Sequence, residues 1–204
     1  MLSLIKLKRL DLNPDPIQQF KNWFSEANEN KAILLPESCC LSTVDKEGYP
    51  EGRIMLLKSI EKDGFIFFTN KESQKGKSLK ENPKAALTFH WKEISRQVRI
   101  QGEVEEVSKE ESDEYFKTRP RLSQIGARVS KQSMPLKSKL ILIEDFYQEK
   151  ITSSDKISRP DYWVGFKIKP RKIEFWIDCD FRLHDRFNYT KDRENNWKIE
   201  RLYP

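Results

Sequence analysis

Apolar residues recur along this chain at two different periods. Ile17, Phe20, Trp23 and Phe24 follow helical spacing, and Asp15-Pro16 supplies an N-cap and a proline at the first helical position, so roughly 15–28 is predicted to be an amphipathic helix. From Ser38 the period shortens to that of strands. Ser38 to Val44, the turn Asp45-Lys46-Glu47-Gly48, and Gly52 to Ile60 read as strand, turn, strand. Glu61-Lys62-Asp63-Gly64 is a second turn, and Phe65 to Thr69 a third strand. Ser73 to Asn82 is predicted as a short helix stopped by Pro83, whose ring disfavours helix in the residue before it. Ala85 to Trp91 pairs with Gln97 to Val107, where Val98, Ile100, Gly102 and Val104 alternate. Ser108-Lys109-Glu110-Glu111 fits a capping box and opens a helix to about Thr118. Residues 120–135 read as irregular or briefly helical and 138–149 as helical. Val164 to Ile168, Lys172 to Ile177, Arg186 to Tyr189 and Trp197 to Leu202 are the last strands, with Thr190 to Asn196 a polar turn.

Seven or so strands joined by hairpin turns, with helices inserted between them, predict an α+β fold built on an antiparallel barrel. A doubly wound parallel sheet would alternate strand and helix, and this chain does not. The seven glycines form neither a GxGxxG nor a GxxxxGK[ST] loop, so any phosphate must be held by side chains and by strand or turn amides. The 204 residues suit one domain over 1–204, with 1–14 a short N-terminal arm. No stretch approaches the roughly 20 apolar residues of a membrane helix, and the opening Met1-Leu2-Ser3-Leu4-Ile5-Lys6 is too short for a secretory signal. Three cysteines, two of them adjacent (Cys39, Cys40) and one alone (Cys179), fit a cytoplasmic protein better than a disulfide scaffold. With no CxxC and only His90 and His184, no metal site is expected.

The 38 Lys+Arg exceed the 32 Asp+Glu by six, but the cations are interleaved with acids rather than gathered into a tail, so the excess alone selects no partner. Placement is more informative. In Arg53-Ile54-Met55-Leu56-Leu57-Lys58, strand alternation sends Arg53, Met55 and Leu57 to one face and Ile54, Leu56 and Lys58 to the other. That is either a core strand with snorkelling ends or a holder of two anions on opposite faces. Tyr115 and Arg119 are spaced i, i+4, with Ser123 beyond. They form either a cation-capped helix end or a phosphate cradle, since arginine binds phosphate through two parallel charge-assisted bonds. Arg182, His184 and Arg186 share a face if that segment is extended, and such crowding needs an anionic or electron-rich partner unless nearby acids balance it. Nucleic acid is not expected, because the aromatics read as core rather than as a stacking platform within a basic groove.

Taken together, RIMLLK (53–58), FFTNKESQKGK (67–77), RQVRIQG (96–102), YFKTRPRLSQIGA (115–127), SKQS (130–133) and EFW (174–176) followed by RLHDR (182–186) resemble the pyridoxamine/pyridoxine 5′-phosphate oxidase family, from about Asp11 to Pro204. The resemblance implies an FMN-binding split barrel and a homodimer with FMN in two clefts at the interface. Carried over by position, the FMN site is similar at Arg53, Ile54, Met55, Leu56, Leu57, Lys58, Phe68, Thr69, Gln74, Lys75, Gln97, Gln132, Ser133, Trp176 and Arg186. The substrate site is similar at Lys58, Tyr115, Arg119 and Ser123 for the 5′-phosphate, and at Arg182, Leu183 and His184 for the pyridine ring, with Arg182 and His184 the catalytic candidates. The implied reaction oxidises pyridoxamine or pyridoxine 5′-phosphate to pyridoxal 5′-phosphate, with O2 as acceptor and H2O2 as by-product. The chain departs from the family pattern in several places, among them a shortened N-terminal arm and Leu35 before Pro36 where an acidic residue is usual. Ser73-Gln74-Lys75 stands for the usual Ser-Arg-Lys, Trp163-Val164-Gly165 for Trp-Gly-Gly, and Ile177-Asp178 for Gln-Gly.

Overall fold

The computed structural model describes residues 12–204, so residues 1–11 of the expected arm lie outside the described residues. The described residues form nine strands: β1 (Ser38–Val44), β2 (Pro50–Leu56), β3 (Ser59–Ile60), β4 (Phe65–Asn70), β5 (Lys84–Trp91), β6 (Arg96–Glu106), β7 (Trp163–Ile177), β8 (Asp185–Lys191) and β9 (Trp197–Leu202). Five α-helices accompany them: α1 (Pro16–Glu29), α2 (Gln74–Glu81), α3 (Lys109–Thr118), α4 (Arg121–Val129) and α5 (Lys139–Thr152). No helix among the described residues is long and apolar enough to cross a membrane.

The strands form one curled antiparallel sheet in the order β2-β1-β5-β6-β7-β4-β3, with β8 added to β7 and β9 to β8. Alternation decides its inner face. Cys39, Leu41 and Thr43 of β1, Ala85, Leu87, Phe89 and Trp91 of β5, and Val98, Ile100 and Val104 of β6 are buried, each spaced by two as the pleat requires. Helix α1 covers that face. The Asp15 carboxylate accepts from the Ile17 N–H at 2.9 Å and fixes its start. Phe20 then meets the rings of Phe65 and Phe89 edge-on at 4.9 and 5.0 Å, while Trp23 meets Phe175 at 5.1 Å. Each such pair adds roughly 0.5–1.5 kcal/mol beyond its buried area.

Three expectations need correction. Val164–Ile168 and Lys172–Ile177 belong to one 15-residue strand, β7, whose register against β6 shifts between Gln101 and Gly102. The shift leaves Arg171 without a partner on β6, and Lys169-Pro170 cross so close to Gly102 that a Cβ there would overlap the Lys169 carbonyl. The first half of β7 pairs with β4 and the second with β8, so the bend divides the sheet into two arms. The predicted strand Gly52–Ile60 is broken at Leu57-Lys58 into β2 and β3. Third, the segment before β8 is not extended. Phe181 and Arg182 have φ of 58° and 62°, so Arg182, His184 and Arg186 do not share a strand face.

Candidate functional site

One cleft lies where β4 meets the start of α4. It is a cavity of about 410 Å³ whose wall includes Met55, Phe68, Thr69, Arg119, Ser123, Gln132 and Trp163. Phe68, at the β4 edge of the cleft, clusters with Tyr115 and Trp163 in three nearly parallel rings whose centroids lie 4.0 Å (Phe68–Tyr115), 5.3 Å (Phe68–Trp163) and 6.2 Å (Tyr115–Trp163) apart. Helix α3 ends at Thr118, and Arg119 leaves it in an extended conformation (φ −72°, ψ 145°) before Pro120. Arg119 is therefore the C-cap rather than a member of the helix, yet it remains beside Tyr115. Its guanidinium lies 4.8 Å over the Trp163 ring and 5.7 Å from Phe116. Its Nη1 is buried and has no hydrogen-bond partner. Burial lowers the proton affinity of Arg119 and raises that of Tyr115, each partly countered by the other's charge. Ser123 stands in the first turn of α4, where its N–H bonds the Pro120 carbonyl at 2.8 Å.

A second cation approaches the same cleft from α2. Ser73 caps that helix, and its hydroxyl accepts from Lys75 Nζ at 3.0 Å, while Gln132 Oε1 accepts from Nζ at 3.1 Å and from the Thr69 hydroxyl at 3.4 Å. Lys75 is buried, and among the described residues no carboxylate lies within ion-pair distance of it. Burial and the nearby Arg53 pull its pKa down to about 8. Arg53 itself is held by Thr43 Oγ1 (2.8 Å), the Leu41 carbonyl (3.1 Å) and Glu51 (2.9 Å). Within β2, Met55 lines the cleft, Ile54 is exposed and Leu56 half-buried; beyond the end of the strand Leu57 is in the core and Lys58 exposed. Gln74, Gln132 and Ser133 are exposed residues, with Ser133 in the left-handed region (φ 70°).

The remaining candidates gather elsewhere in the chain. Register aligns Gln97 with Trp176 and Trp176 with Arg186 across β6, β7 and β8, in a row that begins at the exposed His90 of β5. Arg186 is clamped at both oxygens of the buried Glu174, at 3.1 Å each, and bonds the Tyr203 carbonyl at 3.0 Å. Leu183 and His184 line a separate cavity of about 420 Å³ with Asp185, Arg201 and the C-terminal residues, and Arg182 is exposed beside it. No residue lines both cavities. One chain therefore brings Met55, Phe68, Thr69, Lys75, Tyr115, Arg119, Ser123 and Gln132 together, and keeps Gln97, Trp176, Arg182, Leu183, His184 and Arg186 apart from them. Sequence reasoning passed over Trp163 as the platform for Arg119, Ser73 as the acceptor for Lys75, and Glu174 as the counter-ion of Arg186. The last was foreseeable as the one acid in an otherwise apolar strand, Ile173-Glu174-Phe175-Trp176-Ile177.

Comparison with known proteins agrees in extent and order. A family model described as pyridoxamine 5′-phosphate oxidase matches residues 26–149, and one described as the pyridoxine 5′-phosphate oxidase C-terminal dimerisation region matches 163–204. The pyridoxine/pyridoxamine 5′-phosphate oxidase of Bartonella henselae is 47% identical over 193 residues, 93% of this chain and 92% of that one. The protein of the same name from Burkholderia mallei is 44% identical over 99% of this chain and 95% of its own. Among solved structures, PhzG from Burkholderia lata, in complex with tetrahydrophenazine-1-carboxylic acid, superposes with a TM-score of 0.90 at 27% identity, covering 98% of both chains. A pyridoxamine 5′-phosphate oxidase-related FMN-binding protein from Nostoc punctiforme shares the fold at a TM-score of 0.75 and 15% identity, over 91% of this chain and 97% of that one.

Proposed function

The chain belongs to the pyridoxamine 5′-phosphate oxidase family, and from that premise we propose that it oxidises pyridoxamine and pyridoxine 5′-phosphate to pyridoxal 5′-phosphate as an FMN-dependent, homodimeric enzyme. The observation that carries this reading is a pair of cations at one cleft with no carboxylate partner among the described residues: Lys75, which is buried, and Arg119, which is half-buried with its Nη1 enclosed and unbonded. Withdrawing cationic groups from water without a counter-ion is costly, and such a site is made whole by anions. Two phosphorylated ligands, cofactor and substrate, meet that need.

The residues present fit FMN. Lys75 and Arg53 would hold its phosphate, with Thr69 and Gln132 beside them. Gln97, Trp176 and Arg186 of the second subunit would complete the site across the dimer interface, which explains why one chain keeps them apart. Arg119, Tyr115, Ser123 and Lys58 would bind the substrate phosphate, with the cluster of Phe68, Tyr115 and Trp163 rings walling off water. Arg182, Leu183 and His184, contributed across the same interface, would face the pyridine ring. When bound, FMN supplies the redox chemistry, taking a hydride from substrate C4′ and passing electrons to O2 to form H2O2. The protein's part is to fix both phosphates so that the reacting atoms meet in one geometry. We read residues 1–204 as one functional domain and the protein as cytoplasmic, in keeping with its three free cysteines.

Anaerobic addition of pyridoxine 5′-phosphate to the FMN-saturated protein tests the function. Bleaching of the flavin, followed in air by pyridoxal 5′-phosphate and H2O2, is expected; an unbleached flavin overturns the reading. A second measurement isolates Lys75. Because its folded pKa of about 8 lies below the ordinary value of 10.5, the fold carries the full cost of the buried cation below pH 8 and sheds it as pH rises. A bound phosphate reverses that preference and retains the proton. FMN affinity should therefore hold steady up to about pH 8 and then fall by as much as tenfold per unit, until tyrosines begin to ionise near pH 10. Calorimetric titrations from pH 7 to 9.5 measure the slope, and Lys75→Met should bind FMN weakly with no slope.

A further inference from the structure

The loop between β7 and β8 contains a carboxylate for which the family pattern leaves no place. Asp178, one of the departures from the usual Gln-Gly, has Oδ1 3.0 Å from Nδ1 of His184. The Cys179 amide N–H is directed at the same nitrogen, at 3.2 Å. One nitrogen cannot donate to the carboxylate and accept from the amide at once, so the two contacts call for different imidazole tautomers. A full negative charge 3.0 Å away favours a proton on that nitrogen more strongly than a neutral amide disfavours it, so the contact with Asp178 sets the tautomer. The surroundings hold the pair in place. The Asp178 N–H is tied to the Ser95 carbonyl at 2.9 Å, and the imidazole rests against Trp176 at 4.7 Å between ring centres. The intervening Phe181 and Arg182 keep left-handed backbones that neither side chain favours, so the loop conformation depends on these ties.

We propose that Asp178 is a positioning residue that fixes the proton of His184 on Nδ1 and presents Nε2 as a hydrogen-bond acceptor towards the substrate ring. This rests on the reading above, in which His184 faces that ring. The side chain of Asp178 is itself half exposed and touches neither cavity wall, so it acts through the imidazole alone.

Nitrogen-15 labelling of histidine tests it directly, because the chain holds only His90 and His184 and His90→Gln assigns the signals. In the FMN-loaded dimer His184 is expected to carry its proton on Nδ1. In Asp178→Ala the signal should move to the Nε2–H tautomer, now favoured by the Cys179 amide, and Asp178→Asn should fall between. Catalytic efficiency should drop about tenfold in Asp178→Ala, the scale of removing a group that orients a functional histidine. In a His184→Asn background the same change should cost nothing further. An Nε2–H tautomer in the wild type, or a tautomer that Asp178→Ala leaves unmoved, overturns the proposal. So does an equal loss with and without His184, which marks a structural effect on the loop. Full activity in His184→Asn alone overturns instead the placing of His184 at the substrate, a failure that the tautomer measurement tells apart.

Discussion

Replacing Arg119 with leucine is expected to lower kcat/KM for pyridoxine 5′-phosphate by about 100-fold, mostly through KM. The guanidinium carbon lies 4.8 Å over the Trp163 ring, with a buried Nη1 that bonds nothing among the described residues. Each charge-assisted hydrogen bond contributes about 1.5–3 kcal/mol, so losing a bidentate contact removes roughly 3 kcal/mol, and every 1.4 kcal/mol is about tenfold. The phosphate is remote from the reacting carbon, and binding there is shared by ground and transition states. Such a loss raises KM and spares kcat. Arg119→Lys keeps the charge but forfeits the fork and the stacking, and should recover only part of the deficit. Leucine also removes a half-buried cation that has no counter-ion among the described residues, so the ligand-free variant should melt no lower than the parent. Steady-state kinetics beside a thermal melt separates these effects: a variant that loses activity and stability together would make Arg119 a structural residue.

Gly76→Ala should cost the ligand-free protein about 3 kcal/mol, the upper end of what overpacking usually costs. For a chain of this size that lowers Tm by about 10 °C. Gly76 is the third residue of α2, and a Cβ there overlaps the carbonyl group and Cα of Lys71, backbone atoms that cannot rotate aside. The only relief is to move the first turn of α2 away from the Lys71 turn. That turn carries the Ser73 cap and Lys75, so FMN affinity should fall together with stability. Gly126→Ala is the control. An added Cβ there meets nothing closer than the Phe146 ring at 4.0 Å, and alanine in a helix gains up to about 1 kcal/mol over glycine. Denaturant titrations of both variants, with and without FMN, measure the difference.

What could be read ahead of the structure was whatever depends on neighbours in sequence. Asp15 and Ser108 each cap the helix they were expected to cap, because a capping side chain reaches only two or three residues along its own chain. Alternation in β1, β5 and β6 placed the core for the same reason. What escaped depends on distant contacts. Phe181 and Arg182 take a backbone that their own chemistry disfavours, since the amide of Cys179 and the carboxylate of Asp178 meet at His184 across the loop. The single long strand was read as two, with a gap over Lys169-Pro170-Arg171; Pro170 is tolerated inside it because it sits beside the bulge, where the ladder is already interrupted. Arg186 looked like a free cation until the register set Glu174 beside it. The six candidate cations were found by motif; which of them lack a counter-ion became visible only with the packing.

Strand β7 gives the protein a kinetic backbone as well as a geometric one. It is paired on both sides over Phe166–Ile168 and Lys172–Ile177, to β6 on one flank and to β4 or β8 on the other. Its amides point alternately to the two flanks, so releasing them all means opening strands on both, and amide protons of Phe166–Ile168 and Ile173–Trp176 should be among the last to exchange with deuterium. One end of that slow segment lies against the Arg119 cleft, and the other carries Trp176 and leads to His184. Loops at either end can breathe while the spacing between the two sets of binding residues stays constant, and only global unfolding can change it.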